Sequence, residues 1–290
     1  MYDLSKIILG TAQFGLDYGI NNFYGKISKE EIFQILDFAY ENGLTTLDTA
    51  PSYGNSECLI GDYLEHNPKK KFKIITKISN SNISLEKQLI TSLNKLKIDK
   101  VDVLLFHSVD LFMKFHRKLT PFIKEFKGKY FNELGVSFYY NDRVELIIDD
   151  SRLDRIQLPF NLLDNSSLRK EIVLRLKSNR RKVDARSIFL QGLFFMPLEK
   201  LSSYFKFINS ELTLLNNLSN EFQISVECIA MNYVLGKQFL DHVIIGVDSL
   251  KQLRCNIKNT NISLPNELIT IIDSIRVKKP EYLNPIIWPK

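Results

Sequence analysis

Cysteine is scarce in this chain of 290 residues, and the three thiols, Cys58, Cys228 and Cys255, stand far apart. No paired spacing is present that would make a zinc site or a disulfide framework, so reduced thiols and no bound metal are expected. Long apolar runs are missing too. None approaches the roughly 20 residues that cross a bilayer, and Met1-Tyr2-Asp3-Leu4-Ser5-Lys6 lacks the charged and apolar regions of a secretory signal. A soluble, cytoplasmic protein with no membrane partner is expected. Basic residues outnumber acidic ones by a net +6, yet no long basic run carries the excess. Lys69-Lys70-Lys71, Arg180-Arg181-Lys182 and Lys278-Lys279 are short and fall at presumed helix-to-strand joints or in the tail. Nucleic acid is therefore not an expected partner, and what remains is a mild bias toward anionic small molecules.

The chain is 44% apolar and 25% charged, an ordinary globular balance that argues against disorder. Its length suits one α/β barrel of about 250 residues or a little more. Along the chain a single unit recurs: apolar strand, loop, amphipathic helix. Ile7 to Ala12 opens it, and Ser28 with Glu31 reads as a capping box for a helix that runs to Gly43. Strand 46–50 follows. Helix Ser56 to Glu65 leads to strand 73–78, helix Ser84 to Leu96 to strand 101–107, and helix 110–126 to strand 134–138. Strand 155–160, helix 166–178 and strand 183–189 come next. Helices around 209–220 and 225–236 precede strand 243–247, and helices from Leu250 and from Pro265 close the chain. Eight strands alternating with helices imply parallel pairing, and eight close a barrel. An open doubly wound sheet is the competitor, but Gly10-Thr11-Ala12-Gln13-Phe14-Gly15 lacks the GxGxxG spacing of its phosphate loop. The expectation is one domain over residues 1–290, a (β/α)8 TIM barrel with extra C-terminal helices.

Ligands of such a barrel sit where the strands end and the loops begin. Four polar residues fall there on three neighbouring strands: Asp48 and Tyr53 after strand two, Lys77 on strand three, His107 after strand four. Each alone is more often a turn former, a wall or a structural ion partner. Together they suit proton transfer to or from a carbonyl or alcohol oxygen. Tyr has an unperturbed pKa of about 10 and starts as a donor. An ammonium about 4 Å away is worth on the order of 4 kcal/mol at an effective dielectric near 20, so Lys77 is expected to lower the Tyr53 pKa. Asp48 would keep Lys77 charged, and a neutral His107 would orient the substrate oxygen. The set holds no nucleophile with its own base and no metal site, so a two-electron donor must come from a cofactor.

Across nearly its whole length the sequence resembles the aldo-keto reductases. Leu47-Asp48-Thr49-Ala50, Tyr53-Gly54, Lys77 and His107 match the family's Asp, Tyr, Lys and His in order. Leu9-Gly10-Thr11, Phe14-Gly15, Gln157 with Asn161, and Ile245-Gly246 with Ser249, Gln252 and Asn256 fit as well. The resemblance implies a barrel that binds NADPH or NADH and transfers hydride to an aldehyde or ketone; NADPH is expected on the family pattern. It places Gly10, Thr11, Asp48, Ser137, Gln157, Arg186, Ser187, Gly246, Val247, Asp248, Gln252 and Asn256 at the cofactor. Ser137 and Gln157 would hold the nicotinamide carboxamide, and Gly246 to Asn256 the adenosine end.

Three departures stand out. Phe138 replaces a common Asn, Arg186 replaces the aromatic residue that stacks on the nicotinamide, and Val247-Asp248 stands where many relatives carry Arg or Lys for a 2′-phosphate. Aromatic residues of the loops and tail (Phe14, Tyr18, Phe23, Tyr24, Phe106, Phe194, Phe195, Trp288) are candidates for the pocket wall. Arg186-Ser187-Ile188-Phe189-Leu190-Gln191-Gly192-Leu193-Phe194-Phe195 resembles a bacterial branch associated with sugar-like substrates. With Arg186 near the site, a phosphorylated or nucleotide-linked sugar is the expected substrate class. The alternative is a low-turnover regulatory subunit that keeps the barrel and the cofactor.

Overall fold

The apolar runs pair in the order in which they occur. The computed structural model describes residues 3–22, 25–260 and 262–288. Strands β1 (Ile7–Gly10), β2 (Thr46–Asp48), β3 (Lys73–Ile78), β4 (Val101–Phe106), β5 (Phe131–Ser137), β6 (Arg155–Pro159), β7 (Lys182–Arg186) and β8 (His242–Gly246) form a closed parallel barrel. Closure is made by β1 on β8, with Gly10 opposite Gly246. Eight parallel strands in chain order with helical crossovers make a (β/α)8 barrel.

Strand alternation sorts the side chains into two sets. Ile7, Leu9, Leu47, Ile74, Leu104, Leu134, Ile156, Val183, Val243 and Ile245 face outward and join the helices in the main core. Ile8, Ile75, Val103, Leu105 and Ile244 face inward and form a separate small apolar layer inside the barrel. Below that layer Arg155 bridges Glu133 and the fully buried Asp184, which also meets His242. Above it, at the C-terminal ends, the inward positions turn polar: Asp48, Lys77, Ser137 and Gln157 are all buried. The apolar layer thus separates a structural charge cluster from a second polar cluster at the barrel mouth.

Helix ends follow the local chemistry. Ser28 caps helix Lys29–Glu41 by accepting from Glu31 N–H at 3.2 Å. The Glu31 carboxylate, however, does not complete the capping box at its own helix. Its Oε1 accepts from the N–H of Leu250, the first residue of helix Leu250–Asn259. The stretch expected as one helix over 110–126 is two, Val109–Phe115 and Leu119–Phe126, joined by a tighter turn at His116–Lys118. The break lets Phe115 and Leu119 both bury. The chain leaves β7 at Arg186, earlier than the apolar run suggests, because Ser187 adopts a left-handed backbone with φ 58°.

Candidate active site

Lys77 is the centre of the upper polar cluster. Its Nζ donates to Asp48 Oδ1 at 2.6 Å, to the Thr49 carbonyl at 3.0 Å and to the Tyr53 hydroxyl at 3.2 Å. An ammonium has three N–H donors, and all three are used here. With Lys77 only 2% and Asp48 3% exposed, the pair would be costly to desolvate without such partners. Asp48 Oδ2 is satisfied in turn by Gln157 Nε2 at 2.8 Å. The Tyr53 oxygen accepts from Lys77, which leaves its own proton free to point into the cavity.

The loop that carries Tyr53 is fixed by backbone contact. Gly54 has φ 58°, and a Cβ there would lie 2.3 Å from the Gly15 carbonyl oxygen; a Cβ on Gly15 would lie 1.8 Å from the Tyr53 carbonyl oxygen. The glycines at 15 and 54 therefore let the loops after β1 and β2 touch main chain to main chain. A hydroxyl chain supports the same corner: Ser56 Oγ donates to Thr11 Oγ1 at 2.9 Å, and Thr11 Oγ1 donates to the Asp48 carbonyl at 2.9 Å.

The charges act on Tyr53 differently from the expectation that Lys77 lowers its pKa. Burial and then the Asp48 carboxylate push the Tyr53 hydroxyl well above the usual phenol range, against a weaker downward pull from Arg186. The Asp48 carboxylate offsets the Lys77 charge, so Tyr53 is held in its protonated form. Burial also lowers the Lys77 pKa, opposed by Asp48. His107 is pushed down to about 3 by burial, then by the charges of Lys77 and Arg186, so the ring is neutral at physiological pH. Its Nδ1 faces the hydroxyls of Ser52 at 3.3 Å and Ser79 at 3.4 Å. If these donate, the proton sits on Nε2.

Arg186 ends β7 and lies in the same cavity. Its Nε donates to Ser137 Oγ at 3.2 Å, one terminal nitrogen to Ser187 Oγ at 3.2 Å and the other to the Phe138 carbonyl at 3.1 Å. The guanidinium lies 3.8 Å from the centre of the Tyr139 ring. Every one of these partners is neutral, and Arg186 makes no ion pair among the described residues.

A cavity of about 310 Å³ runs across the barrel mouth and collects most of the residues singled out in the sequence. Asp48, Tyr53, Lys77, His107, Gly10, Thr11, Ser137, Gln157, Arg186, Ser187, Gly246, Asp248 and Gln252 all line it. Val247 and Asn256 do not. Val247 is fully buried in the outer core, because it follows the inward Gly246 and alternation turns it outward; the same parity was visible in the sequence. Asn256 is buried on helix Leu250–Asn259 away from the lining.

Phe138 is likewise turned into the core, with the Arg169 guanidinium 5.9 Å from its ring, and only its carbonyl serves the site through Arg186. Tyr139 lines the cavity in its stead. Of the aromatic wall candidates, Tyr18 and Phe195 line it, while Phe14, Phe106, Phe194 and Trp288 are buried in the core; Phe23 and Tyr24 lie outside the described residues. Sequence reasoning missed Gln13, Gly19, Asn21 and Gln191, polar or small loop residues whose sites are set by how the loops after β1 and β7 meet.

The cavity fits a dinucleotide. Gly10 and Gly246 present bare backbone to it, and a Cβ at Gly246 would fall 2.5 Å from the Gln13 amide. Gln157 keeps its carbonyl oxygen without a hydrogen-bond partner among the described residues. At the far end the Asp248 Oδ1 oxygen is buried and likewise unpartnered.

A parallel barrel whose mouth brings together a tyrosine, a buried Lys–Asp pair and a neutral histidine beside a long cavity defines a class of cofactor-dependent carbonyl oxidoreductases. The model of the Aldo/keto reductase family matches residues 6–277, and the chain belongs to that family. It is similar to the NADH-specific methylglyoxal reductase of Escherichia coli (strain K12), at 22% identity over 93% of this chain and 94% of the relative. D-threo-aldose 1-dehydrogenase from a Pseudomonas species is 19% identical, over 88% and 92%. Among solved structures, the holo form of an aldo-keto reductase from Bacillus halodurans superposes with a TM-score of 0.74 at 18% identity, over 93% and 92% of the two chains. A glycerol dehydrogenase from Gluconobacter oxydans gives 0.68 at 22% identity, over 98% and 94%. The chain is an NAD(P)H-dependent oxidoreductase that interconverts carbonyls and alcohols.

Proposed function

We propose that the protein reduces the carbonyl of a small sugar-like substrate carrying an anionic group, or oxidises the matching alcohol, with Tyr53 as the proton donor. The observation that carries the proton assignment is the saturation of Lys77. All three of its donors are engaged, one of them on the Tyr53 oxygen, so the phenol proton is the one directed at a ligand.

The bound dinucleotide supplies the hydride. The chain does the rest. His107, neutral and with a proton on Nε2, donates a hydrogen bond that positions the carbonyl oxygen. Tyr53 gives its proton to that oxygen as the alcohol forms, and the phenolate left behind sits 3.2 Å from the Lys77 ammonium. Asp48 and Gln157 hold Lys77 in place. The raised Tyr53 pKa keeps the donor protonated at neutral pH.

The substrate class rests on Arg186, whose charge faces the cavity with no counter-ion among the described residues. A carboxylate or phosphate on the substrate would supply one. Relatives named for an aldose and for methylglyoxal support a small oxygen-rich carbonyl. The three cysteines are free, which supports a reducing, cytoplasmic setting.

The test is Tyr53→Phe assayed against a panel of aldehydes, ketones and aldoses. Turnover is expected to fall by about 10²-fold or more, with dinucleotide binding retained. A variant that keeps near-parental turnover would remove Tyr53 from this role.

A further inference from the structure

Two charged residues of the cavity lining stand in different settings. Arg186, at the end of β7, has its guanidinium turned toward β5 by Ser137, Phe138 and Tyr139. Asp248 lies on the loop after β8. One Asp248 oxygen is buried without a hydrogen-bond partner among the described residues, with the Gln13 side chain beside the carboxyl group.

No cation among the described residues pairs with it. Lys77, the other basic residue of the lining, is held by Asp48. Arg254 lies over the Phe38 ring at 4.2 Å, and Lys251 is exposed; neither lines the cavity.

The helix that begins beside Asp248 would ordinarily attract a phosphate to its N-terminal N–H groups. Here two of those donors, and the Asp248 N–H just before them, are occupied. Leu250 N–H donates to the Glu31 carboxylate at 3.0 Å, Gln252 N–H to Ser249 Oγ at 3.2 Å, and Asp248 N–H to Gln252 Oε1 at 2.6 Å. An internal carboxylate, reaching over from helix Lys29–Glu41, already sits where an anion would bind.

We infer that the Asp248 end of the cavity receives an unphosphorylated ribose, so that this protein takes NADH in preference to NADPH. A carboxylate with a free acceptor oxygen is matched by a ribose hydroxyl, which donates to it. A 2′-phosphate is an acceptor-only dianion. It would meet the Asp248 carboxylate, find the Leu250 N–H already taken by Glu31 and no free cation beside Asp248 among the described lining residues, and lose its water shell without replacement hydrogen bonds. The inference narrows the NAD(P)H of the family to NADH for this physical reason. Burial and the neighbouring Asp17 charge raise the Asp248 pKa, as expected for a carboxylate that lacks a cationic partner.

The inference rests on the dinucleotide chemistry of the site, but its test needs no carbonyl substrate. The full-length protein is titrated calorimetrically with NADH and with NADPH. Wild type is expected to bind NADH at least tenfold more tightly. Asp248→Asn, which keeps the shape and removes the charge, should narrow that ratio by threefold or more, and Asp248→Asn with Glu31→Gln should narrow it further. Melting temperatures of the variants guard against misfolding. Equal or tighter NADPH binding by wild type overturns the inference and leaves the carbonyl chemistry standing. An unchanged ratio in both variants overturns it equally. Failure to bind either dinucleotide overturns it together with the cofactor-dependent reading of the site.

Discussion

Gln157 reaches across the barrel mouth from β6 to β2 and donates to Asp48 Oδ2 at 2.8 Å, while Lys77 holds the other carboxylate oxygen at 2.6 Å. Both oxygens of Asp48 are therefore committed, and the carboxylate faces the reaction only through Lys77. Gln157, expected to hold the nicotinamide carboxamide, also acts as the clamp that sets the Asp48 side chain. Its amide nitrogen serves the ion pair, and its carbonyl oxygen remains for a ligand.

That arrangement predicts a steep and partly recoverable loss of stability. Lys77→Met leaves the buried Asp48 charge unpaired, a change that costs about 3 to 5 kcal/mol. Adding Asp48→Leu removes the stranded charge and should restore part of the loss. Gln157→Leu removes one hydrogen bond from a charged acceptor and should cost about 1 to 3 kcal/mol. Urea midpoints of the four proteins measure this. If the double variant is no more stable than Lys77→Met, the stranded charge was not the source of the loss.

His107 gives a pH dependence with a defined sign. The folded ring is pushed down to about 3 from an unperturbed 6.5, so the unfolded chain binds a proton that the folded chain refuses. Stability from this group is fully present above pH 6.5 and is lost as pH falls from 6.5 toward 3. One pH unit corresponds to about 1.4 kcal/mol, so between pH 6.5 and pH 5 the loss is about 2 kcal/mol at most. His107→Gln should remove that slope, seen as a smaller difference between its melting temperatures at pH 7 and pH 5. Activity should show no limb near pH 6.5 from this residue; a bell whose acid arm vanishes in His107→Gln would contradict the neutral ring.

The legible part of this molecule was what alternation and order encode. The strand sequence, the closure to eight and the four residues at adjacent strand ends could all be read from apolar runs and the polar residues that end them. Alternation even contained the outward turn of Val247, since Gly246 must face in for the barrel to close on Gly10. What could not be read depends on approach in space. The Thr49 carbonyl that accepts a hydrogen bond from Lys77 is backbone and has no residue signature. Gln157 and Asp48 are 109 residues apart and meet only when the barrel closes. Glu31 has the spacing of a capping box, but its carboxylate is used by a helix more than 200 residues later. The reversal of the Tyr53 shift has the same origin, because the burial that dominates it, and the Asp48 charge that adds to it, come from the closed barrel.

Gly15 offers a test of how tightly the catalytic loop is placed. A Cβ there would stand 1.8 Å from the Tyr53 carbonyl oxygen and 2.7 Å from the Ser56 nitrogen, both backbone atoms that cannot rotate away. Gly15→Ala must therefore push the Tyr53 segment out, and a displacement of about 1 Å is enough to cost roughly 10²-fold in rate. Overpacking of this kind also costs about 1 to 3 kcal/mol. Stopped kinetics at saturating dinucleotide, with calorimetric binding as control, should show kcat falling far more than affinity. A fall in dinucleotide affinity with kcat intact would mean that the contact shapes the cofactor cavity and leaves Tyr53 where it was.

Arg186 carries the prediction about substrate. Its guanidinium is fixed by three neutral acceptors and the Tyr139 ring, so its position is set before any ligand arrives and its charge is left over. A hydrogen bond to a charged group is worth about 1.5 to 3 kcal/mol, which corresponds to roughly 10- to 150-fold in kcat/KM. Arg186→Gln should lose that factor for a phosphorylated or carboxylated carbonyl and only a few-fold for its neutral counterpart. Arg186→Lys should recover part of it, since the charge remains while the fork that fits Ser137, Ser187 and the Phe138 carbonyl does not. The cation also pulls the Tyr53 pKa down against burial, so its removal makes Tyr53 a weaker acid toward every substrate. The ratio between anionic and neutral substrates cancels that shared effect, and it is the quantity that decides. If both fall together, Arg186 acts on Tyr53 or the cofactor alone, and the substrate needs no negative charge.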